Sequence, residues 1–467
     1  MPIIRNPDNV LMDDGAPDPK ALTHILKEHD QMISRYSLLA DYYDGKHPIA
    51  ERELMDPDAP NNKLVINYAE YISDFASSYF MGNEIQYTGN AIDPILDAFS
   101  EQHIHMVDTE LARDLSRFGV AYELVYMSSD DTPIPKSTNI DPRNAVIVVD
   151  NSVEYKTLLG IYRYAHMDKD NKQDGETVMV YTPTHIYEYH YKQDLKLIED
   201  SPHPFGRCPM LEYWNKPNLK ADYESVLSLI DAYNILMSDR VNDKERFVQA
   251  LLVVYGTLAG DNSAEKIETV RALKRLGLLE MPAGTKAEYI SNQLSEAETE
   301  ILKDSIKADI HKISKVPDMT DENFASNSSG VAMRYKLLGL EQLTKTKEAY
   351  YKMSLRDRLR LYEAIGQVKS QAVSVDDVEI SMTRSLPVNE TELASMIVQL
   401  KDQVSQETLL AQLPFVGDVT AEIERLQEQK EASIVMMRQS FGATNYPTFN
   451  DRYSDDKEVT DGEANAV

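Results

Sequence analysis

The hydrophobic period of the chain changes twice, and those changes constrain which elements can follow one another. As far as Phe118 apolar residues recur at helical spacing. Residues 18–43 read as one helix, the run NYAEYISDFASSYFMG as a second that starts near Asn67 and ends at Gly82, and residues 93–118 as a third carrying Leu96, Phe99, Leu111, Leu115 and Phe118. From Val120 to Tyr213 the segments YELVYM, AVIVVD, LLGIYRYA, TVMVYT and HIYEYHY are short and rich in Val, Ile and Tyr. Asp, Asn, Gly and Pro separate them, which is the signature of an antiparallel sheet. After Pro217 the helical period returns. The fold class is therefore α+β, with several domains. The first twenty residues, rich in Pro, Asp and Asn, read as an extended arm.

The later helices come as a pair around a small insert. Residues 222–247 carry the stripe Val226, Ile230, Tyr233, Met237, Val241, with Asp222 as the expected N-cap, and would run roughly 37 Å. QALLVVYG then reads as a strand, residues 264–276 as a short helix, and LLEMPAG with KAEYIS as a hairpin-like pair. Residues 295–316 carry Leu302, Ile306, Ile310 and Ile313 and stop at Pro317. Residues 317–330, PDMTDENFASNSSG, have little apolar content, and a structureless loop of that length is usually functional.

A long helix follows over residues 331–365. It holds eight bases (Arg334, Lys336, Lys345, Lys347, Lys352, Arg356, Arg358, Arg360) against four acids (Glu341, Glu348, Asp357, Glu363). Such a helix can face phosphates or an acidic neighbour, but a solvated Lys/Arg face is the simpler reading. A strand, VEISMTRSL, runs from Val378 towards Pro387, and helical segments follow at residues 390–403, 405–413 and 418–438. The last residues are acidic and without periodicity, so disorder is expected.

Against 48 Lys and Arg stand 77 Asp and Glu, a net charge of −29, which excludes a surface that attracts phosphates throughout. The single cysteine, Cys208, leaves no intrachain disulfide and suits a reducing cytosol. MPIIRNPDNVLMDDGAPDP has neither the basic nor the apolar region of a signal peptide, and the longest apolar stretch is far short of the roughly 20 residues that span a bilayer. No nucleotide-cradling, nucleophile-elbow or metalloprotease motif occurs, which lowers the expectation of an enzyme without excluding one, and no cofactor is expected. In HIHMVDTE, His103, His105, Asp108 and Glu110 suggest a metal site on paper, but acids in the first turn of a helix explain them more simply. His185 and His190 fall on opposite faces of a strand. DKDNKQDG has its glycine at the eighth position, not the sixth that a calcium loop needs, and reads as a hairpin turn.

Three segments resemble a known family: PHPFGRCPMLEYWNKPNLKADYESVLSLIDAYN, KVPDMTDENFASNSSGVAMRYKLLGLE and SLPVNETELASMIVQLKDQVSQETLLAQLPFVGDVTAEIERLQEQKE. They are similar to stretches of the portal, or head-to-tail connector, proteins of tailed bacteriophages, above all those of siphoviruses of Gram-positive hosts. The resemblance implies a ring of about twelve identical subunits at one capsid vertex, around a channel through which double-stranded DNA is packaged and ejected. It implies a wing (residues 1–221, including the arm), a first stem helix (222–247), a clip (248–294), a second stem helix (295–316) and a tunnel loop (317–330). A long wing helix and return strand (331–389), crown helices (390–440) and an acidic tail (441–467) would complete the chain. The implied partners are further copies of the chain, weakly and sequence-independently held DNA, the terminase that hydrolyses ATP, major capsid and scaffolding proteins, and head-completion proteins. No membrane is implied. The place of action would be the virion, after assembly in the host cytoplasm. In the tunnel loop Asn323, Ser326, Asn327, Ser328 and Ser329 would offer neutral hydrogen-bonding groups, while Asp318, Asp321 and Glu322 repel phosphate. The rival readings are an enzyme with a dispersed active site and a cytosolic helical scaffold or adaptor.

Overall fold

The computed structural model describes residues 2–57, 59–129, 133–248, 251–255, 286–290, 296–319, 335–384, 395, 397–401, 403–410 and 419–440. The chain divides into two compact units, Met1–Leu386 and Pro387–Val467. In the first, helix α1 (Pro19–Tyr43) starts at Asp18, whose carboxylate accepts from the Lys20 N–H, and α2 (Tyr68–Met81) starts at Asn67, whose side chain accepts from the Glu70 N–H. Both starts match the sequence reading. The third expected helix is two, α3 (Asp93–Glu101) and α4 (Ile104–Phe118), because His103 takes a left-handed conformation at φ 54°.

The strand region folds into two sheets. One has six strands in the order β1 (Ile3–Arg5), β5 (Ala145–Asp150), β6 (Thr157–Met167), β7 (Gln173–Tyr181), β8 (His185–Tyr191) and β9 (Leu195–Pro202). The other has three, β10 (Met210–Trp214), β3 (Val120–Met127) and β4 (Pro135–Ile140). The N-terminal residues are thus not a free arm. Ile3 pairs with Val148 in the only parallel ladder among the described strands, and Val10 is fully buried. The hairpin turn expected at DKDNKQDG joins β6 to β7, with Asp168 accepting from the N–H groups of Asp170 and Lys172.

Strand β5 shows why AVIVVD is apolar throughout. Ala145, Ile147 and Val149 enter one core with α1 and α2, while Val146 and Val148 enter a second beneath Leu22, Ile25 and Leu26 of α1. A strand buried on both faces has no side to leave polar. Strand β3 is likewise covered on both sides: Val120, Tyr122 and Leu124 join the first core, and Ala121 and Val125 join a third around the long helix.

The other helices and strands described in this unit are α5 (Leu227–Val248), the antiparallel pair β11 (Leu251–Tyr255) and β12 (Lys286–Ile290), α6 (Glu296–Ser314), α7 (Leu338–Val368), and the short ladder of β13 (Glu379–Ser381) with β2 (Gln86–Thr88). The short helix expected at residues 264–276 lies outside the described residues, as do residues 320–334 and the acidic tail. The second unit contributes α8 (Gln406–Leu410) and α9 (Val419–Ser440), which pack on each other.

Candidate functional site

Helices α5 and α6 pack together and run antiparallel: Arg240, late in α5, pairs with Glu300, early in α6, at 2.7 Å. Their inner stripe is Ile230 and Tyr233 on α5, with Val226 just before it, and Ile310 on α6, all buried. Their outer faces are not covered. Ile235 is 45% exposed, Ile301 69%, Leu302 50% and Ile313 48%, so Leu302 and Ile313 of the expected stripe stand in solvent.

Asp222 does not cap α5. A 3-10 turn, Glu224–Val226, comes first, and Glu224 closes it by accepting from the Ala221 N–H at 3.0 Å. The Asp222 carboxylate instead turns into the body. Lys347 of α7 lies 2.8 Å from it and Lys216 3.6 Å, while Ser116 and Asn215 each donate to it at 2.8 Å. Burial alone would raise the Asp222 pKa, but the two lysines and the hydrogen bonds hold it down to about 2. Its folded value lies below the ordinary 3.8, so its contribution is fully present above the ordinary value and is lost as pH falls through about 2. The difference corresponds to about 2 kcal/mol. Asp222→Asn should lower stability by about that amount at neutral pH and flatten the acid limb of a urea-unfolding series taken across pH.

A second anchoring is made of backbone. Residues 61–66 run extended along α5, where Asn62, Leu64 and Ile66 donate their N–H groups in turn to the side chains of Asn242, Ser238 and Asn234, at 2.7, 3.0 and 2.9 Å. Two residues of extended chain advance about 6.6 Å and four of helix about 6.0 Å, so the two periods keep step. Arg52 binds the same strap, donating to the Asn62 carbonyl and pairing with Asp239 at 2.7 Å. His47 completes it. Its Nε2 faces the Tyr42 carbonyl and so carries the proton, leaving Nδ1 to accept from the Asn234 amide at 2.8 Å.

The helix that is basic by composition is a central, buried element. Lys347 and Arg358 are 3% and 0% exposed. Arg358 reaches Asp108 of α4 at 2.7 Å and Glu123 of β3 at 2.8 Å; Tyr351 donates to Asp108 and Tyr213 to Glu123. Burial would lower the Arg358 pKa, but the two carboxylates push it well above the usual guanidinium value. Burial likewise raises the pKa of Asp108. Further along, Arg384 bridges Glu341 and Glu348 at 3.1 and 2.5 Å. The acidic neighbour of this helix is the body of its own chain.

A family model described as phage portal protein, SPP1 Gp6-like, matches residues 22–435. The chain belongs to this family. A portal protein of Bacillus phage SPP1 is 22% identical over 451 residues, covering 90% of this chain and 85% of that protein. A portal protein of Clostridium phage phiCD119 is 24% identical over 232 residues, covering 49% of this chain and about half the length of that relative. The family indicated by the three quoted segments is the one that matches, and it carries a phage portal function.

Asn323, Ser326, Asn327, Ser328 and Ser329 lie outside the described residues, as do Asp321 and Glu322. Asp318 is described, and it is not an open charge: Lys307 of α6 lies 2.6 Å from it. Around HIHMVDTE the acids fall in the second turn of α4, not the first. Asp108 turns inward to Arg358 and Glu110 pairs with Arg113 at 2.9 Å. Among the described residues no three His, Cys, Asp or Glu side chains are grouped to hold a metal ion, and no helix is long and apolar enough to cross a membrane.

Proposed function

We propose that the portal chain assembles into a ring of about twelve copies around a channel for double-stranded DNA, at one vertex of the capsid. Residues 1–221 serve as the wing. Helices α5 and α6 are the stem, with boundaries revised to Leu227–Val248 and Glu296–Ser314 from the expected 222–247 and 295–316. Residues 248–294, which include the β11–β12 pair, are the clip, residues 317–330 the tunnel loop, residues 331–389 the long wing helix and return strand, residues 390–440 the crown, and residues 441–467 an acidic tail. The ring docks the terminase during packaging and the head-completion proteins afterwards, and it contacts capsid and scaffolding proteins. Its role is structural, with hydrolysis left to the terminase.

The observation that carries this reading is the uncovered apolar face of the stem. Ile301 and Leu302, adjacent on α6 and at least half exposed, are left uncovered among the described residues, and in a ring the next copy supplies the cover. Net charge fits the same picture. At −29 per chain, the assembly repels phosphate, which suits a conduit through which DNA must slide. Ile301→Asp combined with Leu302→Asp should weaken subunit association by about tenfold or more, since each buried apolar side chain contributes about 1 kcal/mol or more. Sedimentation read against protein concentration checks this. Association unchanged from the parent chain would remove the stem face from the interface.

A further inference from the structure

The chain leaves α6 through Lys315, in a left-handed conformation at φ 60°, and the residues that follow are held from two sides. The Tyr71 hydroxyl, on α2, donates to the Pro317 carbonyl at 3.0 Å and accepts the Met319 N–H at 3.1 Å. It thereby brackets Asp318, whose carboxylate is tied to Lys307 on α6. His311, one turn before the end of α6, faces the Val316 carbonyl with Nδ1 at 2.9 Å, so that nitrogen carries the proton. Its ring packs edge-on against Tyr68 and Tyr71 at 5.7 and 5.8 Å. A hydroxyl that donates to one backbone group and accepts from another two residues on fixes a direction, because turning the segment breaks at least one of the two bonds.

Tyr71 stands at the end of a continuous path. The strap of residues 61–66, pinned to α5 by Asn234, Ser238 and Asn242, runs directly into α2, whose first turn carries Tyr68 and Tyr71. One stretch of about ten residues thus holds the first helix of the pair and the exit of the second. We propose that Tyr71 is a positioning residue for DNA passage: through its hydroxyl it sets the direction in which residues 317–319 leave the stem, and through the strap it ties that direction to α5. This rests on the portal reading, in which these residues begin the tunnel loop.

Tyr71→Phe removes the hydroxyl and leaves the ring that packs on Phe75 and His311. With the full chain, three quantities decide the matter: assembly mass, amide exchange at Met319, and DNA packaged into heads. The expected result is a ring of unchanged mass, with Met319 exchange about two- to tenfold faster, unchanged exchange in the six-stranded sheet, and fewer DNA-filled heads. Lys307→Met, which removes the ion pair between α6 and Asp318, should reduce packaging in the same direction. Unchanged exchange at Met319 overturns the proposal, and so does faster exchange with normal packaging in both variants. A parent chain that forms no ring fails the portal reading itself, and the mass measurement separates that outcome from the others.

Discussion

Replacing Arg358 with Met is expected to destabilise the full chain by about 3–5 kcal/mol, the usual cost of removing one member of a buried ion cluster. Arg358 is fully buried and is the cation shared by Asp108 and Glu123, which come from a helix and a strand on the same side of α7. Without it two carboxyls remain in a site closed to water, hydrogen-bonded by Tyr351 and Tyr213 but with no cation between them. The loss should therefore appear as a lower urea midpoint and a loosening of α4 against α7. The triple variant Arg358→Met, Asp108→Asn, Glu123→Gln provides the control. It leaves no charge in this site and should recover much of the stability, because most of the loss in the single variant comes from the two carboxylates left without a cation. If the single variant were as stable as the parent, the cluster would not be what holds the long helix to the body.

Deleting residues 323–329 is expected to leave ring assembly intact and to lower packaging by about tenfold, as removal of a functional loop does. The proposed subunit contacts lie on α5 and α6, outside the deleted stretch, and Tyr71 and Lys307 hold residues 317–319 before it. The deleted residues include Asn323, Ser326, Asn327, Ser328 and Ser329 and contain no Lys or Arg. Neutral hydroxyl and amide groups make short-lived contacts with phosphates and carry no sequence preference, as a sliding duplex requires. Counting DNA-filled heads checks the prediction. Normal packaging by the deletion would take these residues out of the DNA path.

Local signals made much of this architecture legible in the sequence. Asp18 and Asn67 mark their helix starts, and the Val, Ile and Tyr content of TVMVYT and HIYEYHY marks two strands correctly. The strands β4 (PKSTNI) and β9 (LKLIEDSP) escaped notice because they are largely polar and each lies at the edge of its sheet, where a polar side chain costs little. Long-range pairing was invisible for a different reason. Lys347 and Arg358 look like any other bases on a solvated helix, and only the fold brings Asp222, Asp108 and Glu123 to them across more than a hundred residues. One site had a readable signal. Asn234, Ser238 and Asn242 recur every four residues on a helix with an apolar face, a spacing that marks a polar ladder awaiting a backbone partner. Tyr71 had none, since the carbonyl and N–H that it holds belong to residues 317 and 319.

Whether this portal chain works as a closed ring is read from the mass of the purified chain in solution. A ring of about twelve copies gives a discrete particle near 636 kDa, about twelve times 53.0 kDa, with a central channel in end-on electron micrographs. A particle of 53.0 kDa at every concentration examined would contradict it.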